Sequence, residues 1–93
     1  MESLTVAIET ARASRSLAAP AARRRLRQRA GITQQAVAAT LGVSRSAVAR
    51  YEAGNRIPRG ATLLAYARLL DVLAEVAARD PDLNPSEGDP NPR

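Results

Sequence analysis

The chain has 93 residues, carries a net charge of +5 and contains neither cysteine nor histidine. A chain of this length accommodates one small domain. The two missing residue types exclude disulfides, thiolate or imidazole metal ligands and every nucleophile–histidine pair. We therefore expect a cytoplasmic protein that is not an enzyme and uses no metal or other cofactor. No apolar run approaches the ~18 residues that a membrane span requires, so we expect no membrane association.

The composition predicts a helical protein. Alanine supplies 20 residues, and two tyrosines are the only aromatic side chains. Alanine is the best helix former, whereas the β-branched and aromatic residues that favour strands are scarce. The predicted fold class is therefore all-α, with a core of alanine, leucine and valine on closely packed helices.

The positive charge is concentrated in the middle of the chain. All 14 cationic residues are arginine, and nine of them fall in residues 20–60 beside a single acid, Glu52, which gives this segment a net charge of +8. The planar guanidinium matches phosphate oxygens and the guanine edge, so the segment predicts binding to nucleic acid. A GC-rich genome is an alternative reason for arginine instead of lysine, but it does not explain where the charges lie.

The first predicted helix covers residues 3–14, where Leu4, Ile8 and Ala11 share one face and Ser3 is the expected N-cap. A second helix, over residues 20–30, begins with a proline and stops at Gly31. It carries Arg23, Arg24, Arg25, Arg27 and Arg29. Because successive residues step by about 100°, four of them, Arg23, Arg24, Arg25 and Arg29, cannot all face one partner. We expect one or two of these four to reach a nucleic-acid backbone and the rest to be solvated.

Two short helices follow, over residues 34–41 and 45–53, with Thr33 and Ser44 as expected N-caps. Helices separated by so short a turn cross steeply only if a turn residue adopts a positive φ and the facing residue is small. Gly42 and Ala38 meet these two requirements. Five apolar residues are then expected to converge on one core: Val37, Leu41, Val43, Val48 and Tyr51.

A long helix is predicted over residues 61–78. One stripe suits the core at helical spacing: Leu63, Ala67, Leu70, Ala74 and Ala77. A neighbouring stripe, Leu69, Leu73 and Val76, would be exposed in a small monomer and is the predicted dimer seam. The alternative is that the N-terminal helix covers this stripe with Leu4 and Ile8. The proline-rich, acidic residues 80–93 are predicted to form a disordered tail.

The combination of capping, small and apolar residues from Thr33 to Glu52 resembles the lambda-repressor-like family of helix-turn-helix proteins, also called the Cro-type or XRE family. The resemblance covers about residues 20–73 and includes Thr33-Gln34-Gln35, Leu41-Gly42-Val43-Ser44, Tyr51-Glu52-Ala53-Gly54 and the Leu63 to Leu70 stretch. It implies a compact domain of four to five helices over residues 20–79, to which this chain adds an extra N-terminal helix within residues 1–19. Asp71 stands where the family has a glycine break, so the last two helices are expected to be fused.

For function, the resemblance implies a sequence-specific transcription regulator that binds double-stranded DNA. Its recognition helix, residues 45–53, would enter the major groove. The outward positions expected to read bases are Ser44, Arg45, Ser46 and Arg50. Those expected on the DNA backbone are Gln34, Gln35, Asn55, Arg56 and Arg59. The alternative for these arginines is an ordinary solvated surface.

The family commonly pairs an arginine in its first helix with a glutamate at the end of the recognition helix, which here are Arg27 and Glu52. Glu52 is the only acid between Glu9 and Asp71, and an acid on a surface meant for phosphate is best explained by a structural ion pair. The alternative is an unpaired surface glutamate.

The most specific function that the resemblance implies is a small repressor of phage, prophage or plasmid type, acting as a homodimer on a palindromic operator. The alternative is an antitoxin or protein-interaction adaptor built on the same fold, which the extra segments at both ends would favour.

Overall fold

The structure is a computed structural model that describes residues 2–79. Of Glu2 it describes only the backbone. Within this part of the chain there are five helices and no strand: α1 (Glu2–Ser16), α2 (Pro20–Arg29), α3 (Gln34–Leu41), α4 (Arg45–Ala53) and α5 (Gly60–Arg79). The all-α prediction is confirmed, and each predicted helix is present with small differences at its ends. The tail predicted at residues 80–93 lies outside the described residues.

The two central helices begin and end at the residues that the sequence indicated. The hydroxyls of Thr33 and Ser44 accept hydrogen bonds, each 3.0 Å long, from the backbone N–H groups of Ala36 and Ala47. Gly42 ends α3 with a φ of +72°, a backbone conformation that is unfavourable for residues with a side chain. The N-cap expected at Ser3 is wrong, because α1 already begins at Glu2.

The core forms where α3 and α4 cross and rest on α2 and α5. Ala38 and Val48 are completely buried at this crossing, so the small side chain is what lets the two helices approach. The rings of Tyr51 and Tyr66 lie beside them with their centroids 5.7 Å apart. Leu41 and Val43 pack against this core while remaining partly exposed.

Helix α5 is continuous through Asp71, as the missing glycine break implied. Its buried residues are Leu63, Tyr66, Leu70, Leu73 and Ala77. The expected core position at Ala74 is wrong, since Ala74 is exposed and Leu73 takes its place. Both choices satisfy helical spacing, and the structure buries the larger apolar side chain because that removes more surface from water.

Helix α1 packs against α5, but not through the face that the sequence suggested. Ala13 is buried and Leu17 packs on the core, whereas Leu4 and Ile8 are 59% and 48% exposed. At about 100° per residue, Leu4 and Ile8 lie roughly 180° and 140° around the helix from Ala13. Leu17, the residue after α1, lies about 40° around the helix axis from Ala13, so the two share the face that turns inward. Both predicted residues therefore keep about half of their surface exposed.

Candidate nucleic-acid interface

Helix α4 separates buried from exposed residues along its length. Ala47, Val48, Tyr51 and Glu52 are buried, whereas the predicted base-reading residues Ser44, Arg45, Ser46 and Arg50 are all exposed. Between the two arginines lie Ser46 and Ala49, whose small side chains leave this face of the helix unobstructed. The arrangement allows the helix to enter a groove with both guanidinium groups directed outward.

Glu52 does not contribute negative charge to this surface. It is 7% exposed, and its Oε2 lies 2.6 Å from Nε of Arg27 while its Oε1 accepts from Nη2 at 3.0 Å. Arg27 also donates from Nη1 to the carbonyl oxygen of Ile32 at 2.8 Å. The ion pair expected between Arg27 and Glu52 is thus formed, and it joins α2 to α4.

Gln34 links the same carboxylate to the recognition helix. Its amide nitrogen donates to Oε1 of Glu52 at 3.0 Å, and its amide oxygen accepts from Nη1 of Arg45 at 3.1 Å. The sequence singled out Gln34 for a phosphate contact and missed this bridging geometry. Spacing along the chain gives no signal for it, because 18 residues separate Gln34 from Glu52.

The loop between α4 and α5 supplies the other predicted backbone contacts. Asn55, Arg56 and Arg59 are exposed and, with Tyr51 and Thr62, line an open cleft of about 610 Å³. The guanidinium carbon of Arg56 lies 5.9 Å from the centre of the Tyr51 ring. Gln35 is exposed at the start of α3.

Exposed charge in residues 20–60 is entirely positive. Two of the nine arginines, Arg23 and Arg27, are buried, and the only acid, Glu52, is buried as well. The exposed cations are Arg24, Arg25, Arg29, Arg45, Arg50, Arg56 and Arg59. A one-sign surface of this kind attracts a polyanion.

A comparison with known proteins gives the family. The family model described as Helix-turn-helix matches residues 24–75, which is more than half of the chain. The chain belongs to the XRE-type helix-turn-helix family. It is a DNA-binding transcription regulator of that type, and the matched segment contains α3 and α4 and most of α2 and α5. Comparisons with curated proteins and with solved structures found no significant match. None of the helices in residues 2–79 is long and apolar enough to cross a membrane.

The predicted seam on the last helix of this helix-turn-helix domain needs correction. Leu73 is 5% exposed in a single chain, and Leu69 packs partly against the same core. Only Val76, together with its neighbour Val72, is exposed. The expectation that Leu69, Leu73 and Val76 form one exposed stripe is therefore wrong. The predicted stripe overlaps the buried face of α5, because α1, α2 and α3 all pack against this helix.

A second correction concerns Arg23, which lies just before the matched helix-turn-helix segment and was grouped with the exposed arginines of α2. It is 6% exposed. Its Nε donates to the carbonyl oxygen of Ala18 at 2.8 Å, and its guanidinium carbon lies 5.4 Å from the centre of the Tyr66 ring. Burial raises the pKa of the Tyr66 phenol, and the positive charge of Arg23 partly opposes this increase.

Proposed function

We propose that this XRE-type regulator is a small repressor of phage, prophage or plasmid type, which binds a palindromic operator as a homodimer. The observation that carries the proposal is the uniformly positive exposed surface of residues 20–60, with Arg45 and Arg50 on the open face of α4. A surface with no exposed acid favours phosphate at every approach. The two arginines on the recognition helix supply donors for base edges.

We assign base contacts to Ser44, Arg45, Ser46 and Arg50. Arg45 donates a hydrogen bond of 3.1 Å to the amide oxygen of Gln34. This bond reduces the number of orientations that the guanidinium samples before it binds DNA. A guanidinium can make a bidentate contact with guanine, which contributes about 1–3 kcal/mol of discrimination against the wrong base.

We assign backbone contacts to Gln34, Gln35, Asn55, Arg56 and Arg59. The last three lie on the loop after α4, and we expect them to touch phosphates beside the groove that α4 enters. Gln34 has one amide hydrogen left after its bond to Glu52, which is available for a phosphate oxygen.

We place the homodimer seam away from Leu73, because Leu73 is buried within a single chain. Exposed apolar side chains remain at Leu4 and Ile8 on α1 and at Val76 on α5. Two copies related by a two-fold axis would bury such residues on both chains at once. Sedimentation equilibrium of Ile8→Glu tests the seam, and the variant is expected to be monomeric where the wild type is dimeric.

The DNA-reading assignment is tested by selecting operators from a random DNA pool and measuring affinity for the selected site and for scrambled duplex. Arg45→Ala and Arg50→Ala should lose preference for the selected site while retaining binding to scrambled DNA. Arg56→Ala should weaken both and reduce the slope of log affinity against log salt by about one unit. Wild-type preference in both recognition-helix variants would reject the assignment.

A second candidate function is an antitoxin or protein-interaction adaptor on the same fold. The observation that favours it is the exposed apolar face of α1 at Leu4 and Ile8, which another protein would be able to cover. A salt titration of binding to random duplex separates the two functions. A steep loss of affinity with salt supports DNA binding, and no measurable affinity at low salt supports the adaptor.

A further inference from the structure

The acidic residues of the chain are concentrated in the segment that follows α5. Residues 80–93 contain four of the nine acids and a single arginine, which gives this segment a net charge of −3. The acids form two pairs, a proximal pair of Asp80 and Asp82 and a distal pair of Glu87 and Asp89. The chain therefore carries an anionic segment as well as the cationic residues 20–60, and the two attract each other.

Four of the exposed arginines lie on α4 and on the loop that follows it, and we call them the α4 arginine surface: Arg45, Arg50, Arg56 and Arg59. The ion pairs within residues 2–79 are Arg27 with Glu52 and Arg68 with Glu9, so this surface has no acidic partner in that part of the chain. A single exposed ion pair contributes little to binding. A group of unpaired cations is therefore where an acidic segment gains most.

The exposed arginines of α2 are the other place where acids could bind. There are three of them, Arg24, Arg25 and Arg29, and they project from the outer, convex side of a helix. The α4 arginine surface has four cations and includes an open cleft whose wall contains Arg56 and Arg59. A concave surface lets one segment contact several cations at once, so the comparison favours α4.

The length of the acidic segment allows its distal pair to reach this surface. Helix α5 has 20 residues, so about 30 Å separate Arg79 from the start of the helix, which Arg59 immediately precedes. At a full extension of about 3.4 Å per residue, the distal pair lies about 27–34 Å from Arg79. The proximal pair lies at most about 3–10 Å from it. Only the distal pair therefore reaches the far end of the α4 arginine surface.

We propose that the distal pair, Glu87 and Asp89, binds the α4 arginine surface of the same chain and competes there with DNA. This autoinhibitory contact rests on the proposed function, because it regulates the surface assigned to DNA. A tethered segment is presented at an effective concentration on the order of millimolar, so weak ion pairs are enough for partial occupancy. All the charges involved on α4 are exposed, so salt screens the contact.

The contact is measured without DNA in the full-length protein. The chain has no cysteine, so Ser86→Cys provides a single position for a nitroxide label beside the distal pair. At low ionic strength the label should broaden the backbone amide NMR signals of Arg45, Arg50 and Asn55 more than any others outside the last turn of α5, and high salt should remove this broadening. Strongest broadening on α1 or α2, or none beyond the last turn of α5, would overturn the proposal.

A mixing experiment shows whether the contact lies within one chain. Isotope-labelled wild-type protein is mixed with spin-labelled protein at natural isotopic abundance. No broadening at α4 is expected in the isotope-labelled chains. Broadening there would assign the acidic segment to a second copy and would reject the intramolecular contact.

Two tail variants with the same change of charge localise the contact on the acidic side. Glu87→Gln combined with Asp89→Asn neutralises the distal pair and should abolish the broadening at α4. Asp80→Asn combined with Asp82→Asn neutralises the proximal pair and should retain it, because that pair does not reach the surface. Broadening that survives without the distal acids would contradict the proposal.

Two matched variants do the same on the arginine side. Arg45→Gln combined with Arg50→Gln should remove the broadening at α4, whereas Arg24→Gln combined with Arg25→Gln on α2 should leave it in place. All four arginines are exposed, so both proteins should keep the helical circular dichroism signal of the wild type. Loss of the broadening only in the α2 variant would place the contact on α2 and reject it on α4.

The competition itself is measured as affinity for random duplex DNA. At low salt the protein with a neutralised distal pair should bind at least about three-fold more tightly than the wild type, and the ratio should fall toward one as salt is added. The protein with a neutralised proximal pair should stay within about two-fold of the wild type. Equal gains in both would indicate general repulsion between the acidic segment and DNA, and the competition would be rejected.

Failure of this inference and failure of the proposed function give different results. Duplex binding that is the same in the wild type and in the distal-pair variant, without broadening at α4, rejects only the autoinhibition. If neither protein binds duplex at low salt, the proposed function is rejected, and the competition with DNA is rejected with it.

Discussion

Arg27 and Glu52 form a two-point ion pair that joins α2 to the end of the recognition helix, with Nε and Nη2 of Arg27 at 2.6 and 3.0 Å from the two carboxylate oxygens. The carboxylate also accepts a hydrogen bond from Gln34, and Gln34 in turn accepts one from Arg45. The buried pair therefore supports one of the two arginines proposed to read DNA.

Removing either partner of this pair should strongly destabilise the domain. Glu52→Ala is expected to cost about 3–5 kcal/mol in the free energy of unfolding, because it leaves the buried guanidinium of Arg27 unpaired. Urea denaturation followed by circular dichroism measures the loss. The matched control is Glu9→Ala, which removes an exposed contact of 3.6 Å to Arg68 and should cost about 0–1 kcal/mol. Similar losses in both variants would contradict the structural role of Glu52.

Enlarging Ala38 should disrupt the helix crossing. Ala38 is completely buried between α3 and α4, so Ala38→Leu should cost at least about 1–3 kcal/mol through overpacking. Its neighbour Ala39 is exposed, and Ala39→Leu serves as the control with an expected change within about 0.5 kcal/mol. Thermal melts compare the two. An Ala38→Leu variant that melts with the wild type would show that this crossing is looser than the burial indicates.

A charge introduced at Leu73 should unfold the domain. The effect should go beyond the dissociation of a dimer. Leu73→Glu places a carboxylate in the core, with an expected loss above about 3 kcal/mol. Val72→Glu changes the adjacent residue, which is 52% exposed, and should retain the helical circular dichroism signal and the cooperative melt. A folded, monomeric Leu73→Glu protein would restore the dimer seam that burial argues against.

Tyr66 should make stability fall at alkaline pH. Because burial raises its pKa above 10.0 in the folded protein, the unfolded chain releases this proton first as the pH rises. The free energy of unfolding should therefore decline above about pH 10, by up to about 1.4 kcal/mol per pH unit until the folded pKa is reached.

Tyr66→Phe should remove this alkaline decline, because phenylalanine has no phenolic proton to release. Urea titrations at a series of pH values compare the two proteins. An unchanged alkaline decline in Tyr66→Phe would assign the effect to other groups.

The sequence alone determined the helices around the helix-turn-helix and the residues exposed on α4. These features are local: each glycine turn, hydroxyl N-cap and apolar repeat involves only a few neighbouring residues. They can therefore be recognised from the sequence without the fold. The same local rules placed Ser44, Arg45, Ser46 and Arg50 on the open side of the recognition helix. The resemblance to a known family suggested the pairing of Arg27 with Glu52, which local spacing does not reveal.

Only the tertiary structure decided which face of α1 and of α5 is buried, since both helices carry more apolar positions than one face needs. On α5 the larger Leu73 takes the core position expected for Ala74, and on α1 Ala13 is buried while Leu4 and Ile8 remain exposed. The burial of Arg23 also depends on the tertiary structure. So does the bridge through Gln34, which links residues that only folding brings together. Burial depends on which helices pack against each face, and helical spacing contains no information about those neighbours.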